Sequence, residues 1–402
     1  MVHVTSPELG STDERSRDRA KALVEAITEV GAMFEGAARE AEVERRLPSS
    51  VVEVLRDLGL FWLKTPLGLG GSELDPIDFC DVLEQLAYFD ASAAWAVMVG
   101  NGTTGTFAGW LPDEGVEEVF ADPASLPILA GQFIPRGRAE VVDGGFEVTG
   151  RWSFSSGIDH ATWVAGGCSV AGSSAPLLVC VPKHQATVHD TWQVAGLQGT
   201  GSNDFSLDRV FVPDRRTMTL PRSAAGEDGR PRRGGALFRQ AGALFVANEL
   251  SPVAVGIARR AFDDMARLAG ATSRQVGGTS LGERASFHKS LGRSEATLRS
   301  AQLLYRDAVR QPWECSVAGT EVDALLMASV RACHTLTVEL CLSTVAELFR
   351  YGGGRVLSLS NPMQRHYRNL IAAAQHLFVS EECFEVSGLA HLDHVRQSLG
   401  SD

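Results

Sequence analysis

The period of the hydrophobic pattern changes twice along these 402 residues, and that restricts the fold more than any other feature. From about Arg15 to Gly59 the apolar residues Ala22, Leu23, Ala26, Ile27, Val30 and Phe34 recur at helical spacing. Leu47-Pro-Ser-Ser50 is a break followed by a capped helix, and Leu67-Gly-Leu-Gly-Gly71 reads as a loop. Asp75–Val99 is helical again, with apolar residues on most faces, so that helix is expected to be buried. From Pro127 to Pro213 the pattern shortens to alternation broken by glycine. Ala139–Val142, Phe146–Thr149, Trp163–Gly166, Leu177–Val181 and Val210–Val212 predict a compact β-barrel or sandwich. After a polar linker at Pro221–Gly235, the stretches Asn248–Leu268, Ser280–Arg310 and Glu321–Arg350 predict three to five helices of a bundle. The expected class is α+β: a helical domain over 1–126, a central β-barrel domain over 127–218 and a C-terminal four-helix bundle domain over 219–402.

Composition narrows the partners. A net charge of −12 argues against nucleic acid or an anionic membrane, since both require a basic surface. The seven cysteines include no Cys-x-x-Cys pair, so neither a zinc site nor a disulfide framework is indicated and no metal is expected. Met1–Arg15 lacks an apolar signal core, and no uninterrupted apolar run reaches the roughly 18 residues of a membrane span. The expected location is the cytoplasm.

Chemistry concentrates in a few segments. Gly150–Trp163 alternates through Phe146, Val148, Trp152 and Phe154 and then breaks at Ser155-Ser156-Gly157. Two hydroxyls on a glycine turn, flanked by large aromatics, suit the edge and face of a flat heteroaromatic ring. A hairpin with core aromatics and turn-forming serines accounts for the same residues. Trp192–Asn203 carries Gly199, Thr200, Gly201 and Ser202, a loop able to approach an oxygen-rich ligand or simply a connection. Tyr351-Gly-Gly-Gly354 is a helix C-cap or a cradle for a pyrophosphate or ribityl chain. In Gln364-Arg-His-Tyr-Arg368, Arg365 and Arg368 share a helical face. Small residues Ala372–Ala374 then precede His376, which by itself reads as an interior histidine. No Gly-x-Gly-x-x-Gly strand-turn-helix signal marks a nicotinamide domain.

Taken in order, these segments resemble the acyl-CoA dehydrogenase fold over nearly the whole chain. They run from Leu58-Gly-Leu60 and Pro66–Gly71 through 150–163, Gly199-Thr-Gly-Ser-Asn203 and Phe211-Val-Pro213 to Asn361-Pro-Met-Gln-Arg365, Arg368 and Gln375-His376. The closer resemblance is to the flavin-dependent monooxygenase branch, which contains the two-component hydroxylases. Ser156-Gly-Ile-Asp-His-Ala-Thr-Trp163 is similar to that branch's Ser-Gly-x-Asp-His-Ala-x-Trp signature. Arg368–Leu377 also lacks the glutamate that acyl-CoA dehydrogenases use as a base, although such bases can sit on another helix.

The resemblance implies an oxygenase component that takes reduced FMN or FAD from a separate NAD(P)H:flavin reductase. With O₂ it would form a C4a-hydroperoxyflavin and hydroxylate or N-oxygenate a largely apolar aromatic or natural-product substrate. It implies that Ser156 lies at the flavin N5 and C4a edge with His376 facing it, titrating near neutrality to manage a proton. Trp152, Phe154, Ser155, Thr200, Gly201, Ser202 and Gln364 are expected to hold flavin, the aromatics also excluding water. Arg274 and Gly353 would complete a neighbour's flavin site in a homotetramer. Phe238, Phe245 and Asn248 are expected at the edge of an apolar substrate pocket. In Val99-Gly-Asn-Gly-Thr-Thr104, Asn101 or Thr103 would orient a polar group, and the missing histidine argues against a simple phenol. Asp159-His160 is expected to be structural. The alternatives are an FAD-dependent acyl-CoA dehydrogenase-type desaturase and a non-catalytic relative.

Overall fold

The computed structural model describes residues 14–219, 230–240, 242–247, 249–271 and 279–399. Six helices open the chain: α1 (Glu14–Glu29), α2 (Gly31–Glu44), α3 (Ser49–Asp57), α4 (Pro76–Phe89), α5 (Ala91–Trp110) and α6 (Asp113–Val119). In α5 every residue except Val99 is buried, as its unbroken small and apolar run requires. The Asp90 carboxylate starts it by accepting from the amides of Ser92 and Ala93 at 2.7 and 3.1 Å. Glycine weakens a helix interior, yet Gly105 and Gly109 are needed here. A Cβ at either would strike the rings of Phe245 and Phe238.

The β region holds β1 (Leu129–Val142), β2 (Gly145–Trp152), β3 (Trp163–Val170), β4 (Leu177–Pro182), β5 (Thr187–His189), β6 (Asp204–Pro213) and β7 (Thr217–Thr219). They form one sheet in the order β5-β6-β2-β1-β3-β4-β7. Among the described residues the expected barrel is therefore an open mixed sheet. Its edges, β5 and β7, are three residues each and do not pair, and β1 and β3 run parallel. Asp143-Gly144, with Gly144 at φ 73°, closes the β1–β2 hairpin. Ser153–Thr162 joins β2 to β3, so the fold itself delivers the Ser-Ser-Gly turn to the end of the sheet.

After the sheet come α7 (Ala243–Ala247), α8 (Leu250–Ala271), α9 (Ala285–Ala318), α10 (Ala324–Tyr351), α11 (Pro362–Ala373) and α12 (Glu382–Leu399). Helices α8, α9 and α10 pack on one another, and α4 packs on α8. One hydrophobic core therefore runs from Leu23 and Phe34 through α4 and α5 to Val345 and Leu370. Helix α10 is long and apolar enough to cross a membrane, but it packs against α8, α9, α11 and α12.

Candidate active site

Trp152 and Phe154 stand two residues apart and behave oppositely. Strand alternation would put both rings on one face of β2. Trp152 obeys: it is fully buried, stacks on Phe205 at 4.9 Å, and donates its indole N–H to the Gly167 carbonyl at 2.8 Å. A Cβ at Gly150 or Gly166 would collide with its ring. With no accessible surface Trp152 cannot touch a ligand, so the expectation that it grips flavin is corrected: it is core. Phe154 breaks the alternation at φ 63°, a left-handed conformation costing about 1–3 kcal/mol for a bulky residue. Its ring is thrown outward, 64% exposed and edge-on to Trp192 at 6.0 Å.

The turn that follows is clamped to the 197–203 loop. The Ser155 amide donates to the Asn203 carbonyl at 3.2 Å and the Gly157 amide to the Thr200 carbonyl at 2.8 Å. Ser156 Oγ lies 2.7 Å from Ser202 Oγ, which lies 2.7 Å from Thr200 Oγ1. Thr200 donates to the Leu197 carbonyl at 2.8 Å. Each hydroxyl owns one proton, so the direction of this chain is determined. Thr200 spends its proton on Leu197, Ser202 must donate to Thr200, and Ser156 must donate to Ser202. Ser156 is left with lone pairs only. Ser155 Oγ is buried with no hydrogen-bond partner. Gly201, at φ 54°, has the Asp159 carboxylate where a side chain would stand. His160 packs on Phe61 at 5.0 Å, and Lys183 donates to the carbonyls of Ile158 and Asp159 at 2.8 and 2.6 Å.

Helices build the opposite wall. Ala96 on α5 lies against Gly157, and the preceding residue, Trp95, meets His376 edge-on at 5.7 Å. Gly157 and His376 thus lie against consecutive residues of one helix. His376 is half-buried, stacks on Phe378 at 5.4 Å, and its Nδ1 accepts weakly from the Phe378 amide at 3.4 Å. Accepting at Nδ1 leaves the ring proton of the neutral imidazole on Nε2. Burial pushes its pKa down to about 4, so the expected titration near neutrality is corrected: this imidazole is neutral there. Helix α11 is fastened to the same loop. Asn369 Oδ1 accepts from the Leu197 amide at 2.8 Å, and Arg368 donates to the Ala195 carbonyl at 2.5 Å and to Glu42 at 2.6 Å.

The remaining expected site residues divide by accessibility. Gln364 has both amide ends engaged, accepting from Arg368 Nε at 2.8 Å and donating to the Asn361 carbonyl at 3.1 Å. It supports α11, and one N–H and one lone pair of the amide remain. Gly353, at φ 59°, is exposed in the turn after α10 with open space around it. Asn101 is wholly enclosed: it donates to Leu60 and Val97 carbonyls at 2.7 and 2.8 Å and accepts from the Lys64 amide at 3.0 Å. Thr103 Oγ1 donates to the Val99 carbonyl at 3.0 Å. Phe238 and Phe245 pack against Trp110 and the glycine face of α5 with essentially no exposed surface. These four are therefore core, and the expected substrate lining is corrected. Asn248 and Arg274 lie outside the described residues.

Sequence reasoning passed over several neighbours. Trp95, Trp192 and Phe378 supply aromatic walls, and a fully buried ion pair joins Lys64 Nζ to Glu249 Oε1 at 2.6 Å. Lys64 also donates to the Phe245 carbonyl and lies over the Phe245 ring, 4.4 Å from its centroid. The only early signal for this pair was the presence of charge inside otherwise apolar stretches.

The exposed Phe154, the hydroxyl chain without ionisable groups, and the orphaned Ser155 Oγ fit a flat, neutral-edged heterocycle such as flavin. Residues 17–110 match the family model described as "Acyl-CoA dehydrogenase, N-terminal domain", and 249–381 match "Acyl-CoA dehydrogenase, C-terminal domain". The chain is 31% identical over 381 residues to a pigment production hydroxylase of a Rhodococcus species, covering 90% of this chain and 92% of that protein. It is 27% identical over 352 residues to indole-3-acetate monooxygenase of Pseudomonas putida, covering 87% and 88%. The structure of XiaF from a Streptomyces species, in complex with FADH2 and glycerol, superposes with a TM-score of 0.86 at 26% identity over 94% of this chain and 97% of that one. The hydroxyl-lined turn and the histidine loop thus stand in a protein that belongs to the flavin-dependent monooxygenases of the acyl-CoA dehydrogenase fold.

Proposed function

We propose that the chain is the oxygenase component of a two-component system, receiving reduced FMN or FAD from a separate NAD(P)H:flavin reductase. One oxygen atom of O₂ enters an aromatic substrate and the other leaves as water, with two electrons from the reduced flavin. The observation that carries this reading is the directed chain Ser156, Ser202, Thr200, Leu197. It offers lone pairs, and no charge, to a donor on the ring edge. Bound reduced flavin supplies the activation of O₂, and the residues do the rest. Phe154 and Trp192 would give the ring an apolar platform, at the cost of strain at Phe154. Ser156 would accept from a ring-edge N–H and orient the ring. His376 holds a proton on Nε2 without carrying a charge, and Trp95 and Phe378 keep water from its ring. An aromatic substrate agrees with those walls and with relatives named for indole-3-acetate and resorcinol.

The assembly we propose is a homotetramer working in the cytoplasm. Val386, Leu389, Leu392, Val395 and Leu399 make an apolar stripe along α12, each 50–73% exposed, and Leu357 and Leu359 are similarly bare beside Gly353. Single exposed leucines need no explanation, but a stripe at helical spacing calls for a partner. Arg274 and Gly353 would complete a neighbour's flavin site in that assembly.

Peroxide release tests the site assignment. Ser156→Ala and His376→Ala should fold normally and release several times more H₂O₂ per reduced flavin consumed than the parent. If product and peroxide yields are unchanged in both variants, these two residues have no such roles.

A further inference from the structure

We infer that Lys183, standing just past β4, is a positioning residue that holds the turn carrying Ser156, with Arg56 assisting. Residues 155–161 coil into a single turn. In it the Ile158 amide donates to the Ser155 carbonyl and the Ala161 amide to the Gly157 carbonyl, both at 3.1 Å. The chain then leaves for β3 at Trp163, so the carbonyls of Ile158, Asp159 and His160 have no following turn to donate to them. Cations meet them instead. Lys183 Nζ donates to the Ile158 and Asp159 carbonyls at 2.8 and 2.6 Å, and Arg56 Nη2 to the His160 carbonyl at 3.2 Å.

The choice of partner separates this lysine from an ordinary surface cation. Asp159 supplies a carboxylate in the same turn, yet Lys183 forms no ion pair among the described residues, and its donors go to main chain. A charged donor shared by two consecutive carbonyls fixes the backbone between them. Lys183 is itself anchored to the same segment. Its amide donates to the Thr162 carbonyl at 3.0 Å, and the preceding Pro182 pairs with Trp163 across the β3–β4 ladder. The opposite end of the turn is tied to the 197–203 loop through the Gly157 amide and the Ser156 hydroxyl. Between the two grips the His160 ring packs on Phe61 and stands where a side chain at Gly157 would be. Burial, then the charges of Arg56 and Lys183, push its pKa down to about 3, so the ring stays neutral. That Ser156 meets flavin rests on the monooxygenase reading, whereas the grip on its turn does not.

Two measurements on the full chain test this. In the flavin-free protein Lys183→Met, which keeps the stem and loses the donors, should speed amide hydrogen exchange several-fold in peptides covering 155–161. Lys183→Arg should restore protection. Oxidised FMN and, anaerobically, reduced FMN are then titrated into each variant, and FAD likewise. Lys183→Met should lower the ratio of dissociation constants, oxidised over reduced, by up to about fivefold, the worth of one neutral hydrogen bond at Ser156. Lys183→Arg should recover the ratio. In a Ser156→Ala background Lys183→Met should leave it unchanged, because the group it acts through is gone. Unchanged exchange in Lys183→Met overturns the inference. So does an equal fall of the ratio in both backgrounds, or no fall where Ser156 is present. If Lys183→Met does not fold, Arg56→Met takes its place in both measurements and the same outcomes decide. Faster exchange in Lys183→Met when the parent binds neither flavin leaves the grip standing and removes the monooxygenase reading.

Discussion

The two walls of the site reach electrical neutrality by different physical means. On the sheet side it is compositional: Ser156, Ser202 and Thr200 are hydroxyls, and only the direction of their protons is set. On the helix side ionisable groups are present and burial disarms them. In the wall itself His376 is pushed down to about 4, and in the helical core His334 is likewise pushed down to about 4 while Glu249 is buried against Lys64. Oxygen chemistry that leaks when stray protons arrive favours both arrangements. The difference is in what breaks them. The helical wall depends on desolvation and should fail with large energetic consequences, whereas the sheet wall depends on proton direction and should fail gently.

The largest break should come at Lys64. Lys64→Met leaves Glu249 buried without its cation, which costs about 3–5 kcal/mol for a pair of this kind. Adding Glu249→Gln should recover most of the loss, because no orphaned charge remains. Urea unfolding of the two variants checks this, and a single variant within about 1 kcal/mol of the parent would remove the pair from the account.

Acid should expose the second. The folded-state pKa of His334 lies below the ordinary value of 6.5, so between those two values the unfolded chain binds more protons. Stability contributed by the neutral imidazole is present above about pH 6.5 and lost as pH falls toward about 4. From pH 7.5 to 5.0 that loss is about 2 kcal/mol. His334→Asn should flatten this part of the pH–stability curve while Ser156→Ala leaves it unchanged. An equally steep curve in His334→Asn would show that the histidine side is not held neutral by burial.

Legibility in the sequence followed the same division. The changes of period located the helical, β and helical regions because local periodicity reports burial directly. Barrel closure was not readable, since it depends on whether β5 and β7 meet, and β5 was too short to register. At the site, the Ser-Ser-Gly turn stood out by composition. Which aromatic faces outward beside it did not, because alternation assigns Trp152 and Phe154 one face and the φ of Phe154 reverses that. Asn101, Phe238 and Phe245 looked like pocket residues because polar and aromatic types are informative only with their partners. The glycine face of α5 and the Lys64 amide had already claimed them.

The gentlest perturbation separates the sheet wall from a merely structural turn. In the parent, Ser156 has lone pairs to offer because Thr200 directs the chain away from it toward Leu197. Reduced flavin carries a hydrogen at N5, where oxidised flavin carries a lone pair, so an accepting Ser156 at that edge favours the reduced form. Thr200→Val removes the group to which Ser202 donates. The Ser202 proton can then turn toward Ser156, which becomes free to donate, and the preference for reduced flavin weakens. One neutral hydrogen bond contributes about 1 kcal/mol, so the ratio of dissociation constants for oxidised and reduced flavin should fall about fivefold. The midpoint potential of bound flavin should move in the negative direction. A packing defect alone would weaken both redox forms together and leave the ratio and the potential where they were.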